Sequence, residues 1–267
     1  MILPTITKKQ KAIISHILKF RYLNRVHVQK ILHHKDARRI NAWLKDLVEK
    51  KYLGRIYENR LPQINIPAVI YMGKLGIKFL RRHKNEYYVN TAYLKRLHKE
   101  EEKSDYFKNH HLLIADIYIR LADSCRQNQA TFVFKTQPQL LDHKILSSLK
   151  PHIYIKIADR YGKVKRHLVE VIGENLPRFA IRARIREYIN FYLDGTWKAH
   201  IRFAHPSVLF IVPKTYRTDK FVYRYTKRLL EEEDIDDKKF AVYTLDLDKV
   251  LRFGIDDDLI WRQVEAY

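Results

Sequence analysis

The apolar residues at the start of the chain recur every three to four positions in three successive segments, which is the spacing of helices that bury one face. The first segment follows Thr7 and the second follows Asn24, two residue types that favour helix N-caps. In the third segment, Ile40, Leu44 and Leu47 mark the buried face. The pattern predicts three short helices in succession.

The sequence after the third predicted helix has the pattern of a β-hairpin. Strands are expected at 53–57 and 68–72, joined by a polar turn that contains Arg60 and Gln63, and a further helix follows. Three helices with a two-stranded hairpin are the elements of a winged helix-turn-helix domain, which we assign to residues 1–89. The turn at the tip of the wing is expected to reach the backbone or minor groove of DNA.

The third helix has the side chains of a recognition helix. Arg38, Arg39, Asn41 and Lys45 lie off its buried face. A helix fits the major groove of DNA, and arginine and asparagine make bidentate contacts to guanine and adenine. These four residues are therefore predicted to contact double-stranded DNA. The alternative is a domain that binds protein and whose basic residues are only solvated.

The rest of the chain predicts a different architecture. A charged segment at 90–104 is expected to form a helical connector, and a long helix begins at Asp105. Strands are predicted at 131–135, 152–158, 165–172, 207–213 and 240–246, with helices at 177–193 and 219–232. This is the element order of restriction-endonuclease-like folds. The expected fold class is α+β and α/β, with a winged helix-turn-helix followed by a restriction-endonuclease-like mixed-sheet domain at 105–267.

Active members of that fold hold Mg²⁺ with a PD-(D/E)xK pattern, because two carboxylates bind the ion and a lysine steadies the attacking water or phosphate. Here His152 occupies the aspartate position, Glu170 supplies one acid, and Ile172 stands in place of the lysine. Glu174 and Lys156 are the candidates for the missing roles. A nuclease would use Glu170 and Glu174 to bind Mg²⁺; otherwise no cofactor is expected. In the alternative, Glu170 pairs with an arginine of the following helix and His152 lies in a polar pocket.

The charge of the chain favours a polyanionic partner. The sequence has 52 Lys and Arg against 30 Asp and Glu, a formal charge of +22, and residues 1–103 account for +16 of it. Since affinity for DNA rises with the number of phosphates neutralised, the N-terminal part is the better candidate for the main contact. Arg178 and Arg182, on the basic helix at 177–193, are predicted to add DNA contacts.

Other classes of protein fit the composition less well. No apolar stretch approaches the length of a membrane span, and the N-terminus lacks the apolar region of a signal peptide. The single cysteine, Cys125, excludes an intrachain disulfide and a cysteine-based zinc cluster. We expect a cytoplasmic protein without a membrane partner.

Several sequence segments, taken in order, resemble those of the replication-relaxation family of plasmids and other mobile elements. The segments lie at 6–32, 37–56, 69–80, 109–121, 151–157, 167–192 and 207–214. His111 and Asp116 match the family's His-Leu-rich helix, and Glu170 carries over from its acidic strand. His152 and Ile172 replace two of the family's acids. The resemblance therefore implies DNA binding, whereas the residues for metal-dependent chemistry are incomplete.

Three functional hypotheses follow. The first is a double-stranded DNA-binding protein that acts in the replication or maintenance of a mobile element, as the resemblance implies. The second is a Mg²⁺-dependent DNA nuclease or nickase with a divergent site. The third is a winged-helix transcriptional regulator whose second domain forms a homodimer or binds another replication or regulatory protein.

Overall fold

A computed structural model describes residues 3–57, 66–213 and 216–266. The chain divides into two compact units, Met1–Ile119 and Arg120–Tyr267. The division falls inside a long helix, whereas the sequence pattern predicts a boundary in the charged segment at 90–104. Both units mix helices and strands, and no described helix is long and apolar enough to cross a membrane.

The first unit contains most of the helices predicted from periodicity and a two-stranded antiparallel sheet. In chain order its elements are α1 (Lys8–Phe20), α2 (Arg25–Ile31), α3 (Ala37–Glu49), β1 (Leu53–Ile56), β2 (Val69–Met72), α4 (Lys74–Arg82), α5 (Lys84–Tyr87), α6 (Thr91–Arg96) and the start of α7 (Asp105–Gln127). The predicted caps are confirmed, since the Thr7 side chain accepts a hydrogen bond from the Gln10 amide and Asn24 accepts one from the His27 amide.

The core of this unit joins the helices to the hairpin. Ile13, Ile17, Ile40 and Leu44 are almost fully buried, as the helical spacing predicts. Leu23, between α1 and α2, exchanges two backbone hydrogen bonds with Ile70 of β2, at N···O distances of 3.1 and 2.7 Å. The hairpin is thereby fixed to the first two helices, and its orientation does not depend on side chains alone.

The charged segment at 90–104 packs into the first unit. α6 begins after an Asn90 cap, and a short 3₁₀ helix follows it. Glu100 is completely buried, and Arg21 donates two hydrogen bonds to its carboxylate, at 2.5 and 3.2 Å. The Tyr22 hydroxyl donates to the Glu100 backbone carbonyl. Because a buried carboxylate is costly without a partner, this pair ties the segment to the end of α1.

The second unit contains the remaining elements. They are the end of α7, β3 (Thr131–Thr136), α8 (Gln137–Leu140), α9 (Leu146–Leu149), β4 (Ile153–Ala158), β5 (Val164–Val171), α10 (Arg178–Leu193), α11 (Thr196–His200), β6 (Ser207–Val212), α12 (Tyr216–Glu232), β7 (Val242–Asp246), α13 (Leu247–Phe253) and β8 (Trp261–Gln263). All five predicted strands are present within a few residues. The sequence pattern did not indicate β8 or the short helices.

The strands form one six-stranded mixed sheet in the order β3-β4-β5-β6-β7-β8. β3, β4 and β5 are antiparallel neighbours, β5, β6 and β7 are parallel, and β8 is antiparallel to β7. Parallel strands need a crossover between them, and α10 and α12 occupy those connections. Ile181, Ile185 and Tyr188 of α10 are buried in the same core as Leu168 and Phe210 of the sheet.

Candidate nucleic-acid interface

One face of α3 is buried and the opposite face is basic. Ile40, Leu44 and Leu47 form the buried face, while Arg38, Asn41, Ala42 and Lys45 are exposed on the other side. We call these four exposed residues the α3 stripe. Asp36 caps the helix by accepting hydrogen bonds from the Arg38 and Arg39 amides, at 2.8 and 3.2 Å. The core and the cap together fix the direction in which the stripe points.

The side chains of the stripe have few protein partners. Within the described part of the chain, neither Arg38 nor Asn41 has a side-chain hydrogen bond or ion pair. Lys45 has one contact, with Glu49 at 3.8 Å, in which both side chains are more than 60 % exposed. Exposed pairs of this kind contribute little. The stripe can therefore offer its donors to a ligand.

Arg39 lies on a different flank of α3. Successive helical residues are about 100° apart, so Arg39 points away from the stripe and toward the side of Asp46. Asp46 accepts hydrogen bonds from Gln10 of α1 at 2.5 Å and from Lys50 at 2.8 Å. Of the four predicted groove residues, Arg38, Asn41 and Lys45 are brought together, and Arg39 is exposed but separate. Arg60 and Gln63 lie outside the described residues.

Two of the predicted catalytic residues, His152 and Glu170, belong to a buried ion-pair cluster. Arg184 contacts the Glu170 carboxylate through Nε at 2.8 Å and Nη2 at 2.9 Å, and the Tyr188 hydroxyl donates to it at 2.8 Å. His152 Nε2 lies 3.5 Å from Glu170 Oε1, and His152 Nδ1 accepts a hydrogen bond from the Val171 amide. This arrangement matches the structural alternative, in which Glu170 pairs with an arginine of the following helix.

The protonation states in this cluster follow from its burial and its charges. Burial acts to raise the pKa of Glu170, but His152, Arg184 and the Tyr188 hydroxyl outweigh it and hold the pKa below the ordinary 4.5. Burial lowers the pKa of His152, so a neutral ring that keeps its proton on Nε2 fits both of its contacts. Glu170 is thus a carboxylate whose two oxygens already accept hydrogen bonds.

The other two catalytic candidates are not gathered at Glu170. Lys156 of β4 lies opposite Arg166 of β5. Arg166 is four residues before Glu170 on β5, so Lys156 is displaced from Glu170 by about 13 Å along the strand direction. Glu174 is exposed beyond the end of β5. Among the described residues, no group of three or more His, Cys, Asp or Glu side chains is arranged to hold a metal ion.

The basic surface of α10 continues onto α12. Arg178 and Arg182 are exposed as expected, and so is Arg186, whereas Arg184 turns inward to Glu170. Helix α12 adds four cations that our site prediction missed: Arg217, Lys220, Arg224 and Arg228. Their spacing of three or four residues is a helical stripe, and this signal was available in the sequence.

Comparisons of the chain with protein-family models, with curated proteins and with solved structures give no significant match.

Proposed function

We propose that the protein binds double-stranded DNA through a winged helix-turn-helix in its first unit, with α3 as the recognition helix. The observation that supports this proposal most strongly is the α3 stripe, whose exposed Arg38, Asn41 and Lys45 stand opposite a buried face. An amphipathic helix with these donors suits the major groove, where arginine reads guanine and asparagine reads adenine.

Two further features support the winged helix. The order α1, α2, α3, β1, β2 is that of the fold, and an isolated backbone bridge between Leu23 and Ile70 ties the chain before α2 to the hairpin. The excess of +16 charges in residues 1–103 provides the long-range attraction that a DNA-binding unit needs. In this proposal the second unit, a restriction-endonuclease-like mixed sheet, supports DNA contact or assembly.

The test compares two matched double variants on a duplex that the wild-type protein selects from a random pool. Arg38→Ala with Lys45→Ala removes two cations from the stripe, and Lys198→Ala with Arg202→Ala removes two exposed cations from the second unit. The stripe variant should weaken binding by about 1 to 3 kcal/mol for the lost base contact and reduce the salt slope by about 1 for each lost phosphate contact. Fluorescence anisotropy over a salt series measures both.

The control variant should keep the wild-type affinity and slope. Arg39→Ala, on the other flank of α3, should have a smaller effect than Arg38→Ala. Equal affinities for the stripe variant and the control would contradict the proposal, because the stripe would then contribute no more than general surface charge.

The biological setting of this activity rests on the resemblance to replication-relaxation proteins. By that resemblance, the protein acts in replication or maintenance of a mobile element. Footprinting distinguishes this role from a transcriptional one: protection at a replication origin is expected, and protection confined to the promoter of its own gene would favour the regulator.

A further inference from the structure

A groove of about 420 Å³ runs beside α12 in the second unit. It is lined by Arg178 of α10 and, on α12, by Arg217, Lys220, Phe221, Arg224, Tyr225 and Arg228. We call it the arginine groove. The α12 residues recur at helical spacing, so a single face of this helix presents both the cations and the two aromatic rings.

The two rings form a platform with guanidinium groups above it. The planes of Phe221 and Tyr225 are within 9° of parallel, with centroids 6.1 Å apart. The guanidinium carbons of Arg178 and Arg182 lie 5.2 and 5.5 Å from the Phe221 centroid. Arg186 donates to the Tyr225 hydroxyl at 3.0 Å. Cation–π contacts of this kind hold the arginines in place but leave their charge uncompensated.

The described lining of the groove contains no carboxylate. One of the lining cations is paired, because Arg228 contacts Glu232 at 2.6 Å, whereas Asp219 of α12 pairs with Arg262 at 3.2 Å, outside the groove lining. Several like charges around a cavity repel one another, and an anionic ligand would relieve that repulsion. The arrangement therefore suits a ligand with phosphate groups.

We propose that the arginine groove binds single-stranded nucleic acid, with the arginines holding phosphates and the Phe221–Tyr225 platform stacking bases. Sites for single strands combine a cationic groove with aromatic side chains, because unpaired bases expose their faces. A duplex hides those faces inside its base stack, so it could offer this groove phosphates but no base to stack on the rings. A free nucleotide shares the same chemistry and is the rival ligand.

This proposal is independent of duplex binding by α3, since the two sites share no residue. The experiment uses the full-length protein and a short fluorescent oligo(dT), with anisotropy as the readout. Arg178→Ala with Arg224→Ala should weaken single-strand binding about tenfold and reduce the salt slope by about 1.4, the value for two phosphates on a single strand. The Lys198→Ala, Arg202→Ala control and the α3 stripe variant should each retain it.

A second pair of variants tests stacking. Phe221→Leu keeps an apolar side chain but removes the ring, and it should weaken binding about fivefold or more without changing the salt slope. Phe221→Tyr keeps the ring and should bind as the wild type does. Thermal melting of each variant checks that the fold is intact.

Three results would overturn the proposal. In the first, the Arg178→Ala, Arg224→Ala variant binds oligo(dT) as tightly as the control. In the second, a folded Phe221→Leu variant binds like the wild type, so that no base is stacked. In the third, thymidine monophosphate competes as well as the oligonucleotide, which would identify a free nucleotide as the ligand.

Discussion

Glu170, which was a candidate catalytic residue, connects a strand to a helix in the second unit. The residue is 3 % exposed and its carboxylate accepts hydrogen bonds from Arg184 and Tyr188, so β5 and α10 are joined through a buried ion pair. Arg184 also donates to the Leu149 and Lys150 carbonyls at 2.7 and 2.9 Å, which fixes the chain before β4. A divalent ion at Glu170 would have to displace this arginine.

Glu170→Gln should destabilise the protein by about 3 kcal/mol at neutral pH, because it leaves the Arg184 charge buried without its partner. The folded-state pKa of Glu170 is lowered, so its contribution is fully present above the unfolded value near 4.5 and is lost as the pH falls through the lower, folded value. The difference between wild type and variant should therefore shrink below pH 4.5. Urea unfolding across a pH series measures it.

Glu187→Gln is the matched control. Glu187 contacts the same Arg184, but its side chain is 58 % exposed, so its loss should cost less than about 1 kcal/mol. Equal stability of Glu170→Gln and wild type at neutral pH would contradict the structural role, and loss of a Mg²⁺-dependent cleavage activity in a folded Glu170→Gln would support the nuclease hypothesis.

A single capping residue determines where α3 begins. α3 begins at Ala37 because Asp36 accepts from two amides of the first turn. That turn carries Arg38, so the cap also sets where the α3 stripe starts. Helix N-caps of this type stabilise by about 1 kcal/mol.

Asp36→Ala should lower the free energy of unfolding by about 1 kcal/mol, since two amide donors lose their acceptor. Asp36→Asn keeps an acceptor oxygen and should cost less. Thermal or urea unfolding compares them. An Asp36→Ala variant as stable as wild type would show that water replaces the cap without cost.

Local sequence patterns predicted most of the helices and strands, because periodicity and capping involve only residues that are close in the sequence. Periodicity and caps located α1, α2 and α3, and apolar runs located β3 to β7. β8 has three residues, too few for a pattern to emerge. The arginine groove depends on α10 and α12 packing side by side, a long-range contact that periodicity cannot supply, although the α12 stripe itself is visible in the sequence.

The candidate sites were predictable to different degrees. Amphipathicity separates the exposed Arg38 and Lys45 from the buried face of α3, and it also places Arg39 on another flank. The pairing of Glu170 was foreseen only as an alternative, because sequence spacing does not tell which arginine of α10 turns inward. The partner of Glu100 is Arg21, 79 residues away, and no local pattern connects them.

In the molecule as a whole, the uneven distribution of positive charge follows the division into two units. The first 103 residues hold most of the net positive charge, and they lie within the first unit. The charged segment at 90–104 looks like a linker by composition, yet the Arg21–Glu100 pair places it in that unit. Two cationic surfaces result, the α3 stripe and the arginine groove, one in each unit.

Site-directed crosslinking is the sharpest test of the proposed insertion of α3 into duplex DNA. Cys125 is buried, so a cysteine introduced on the surface can be labelled selectively with a photo-crosslinker. Ala42→Cys lies within the α3 stripe, and Ala199→Cys is an exposed control on α11. We expect labelled Ala42→Cys to crosslink to duplex DNA and labelled Ala199→Cys not to crosslink. Crosslinking at neither position, or equal crosslinking at both, would contradict it.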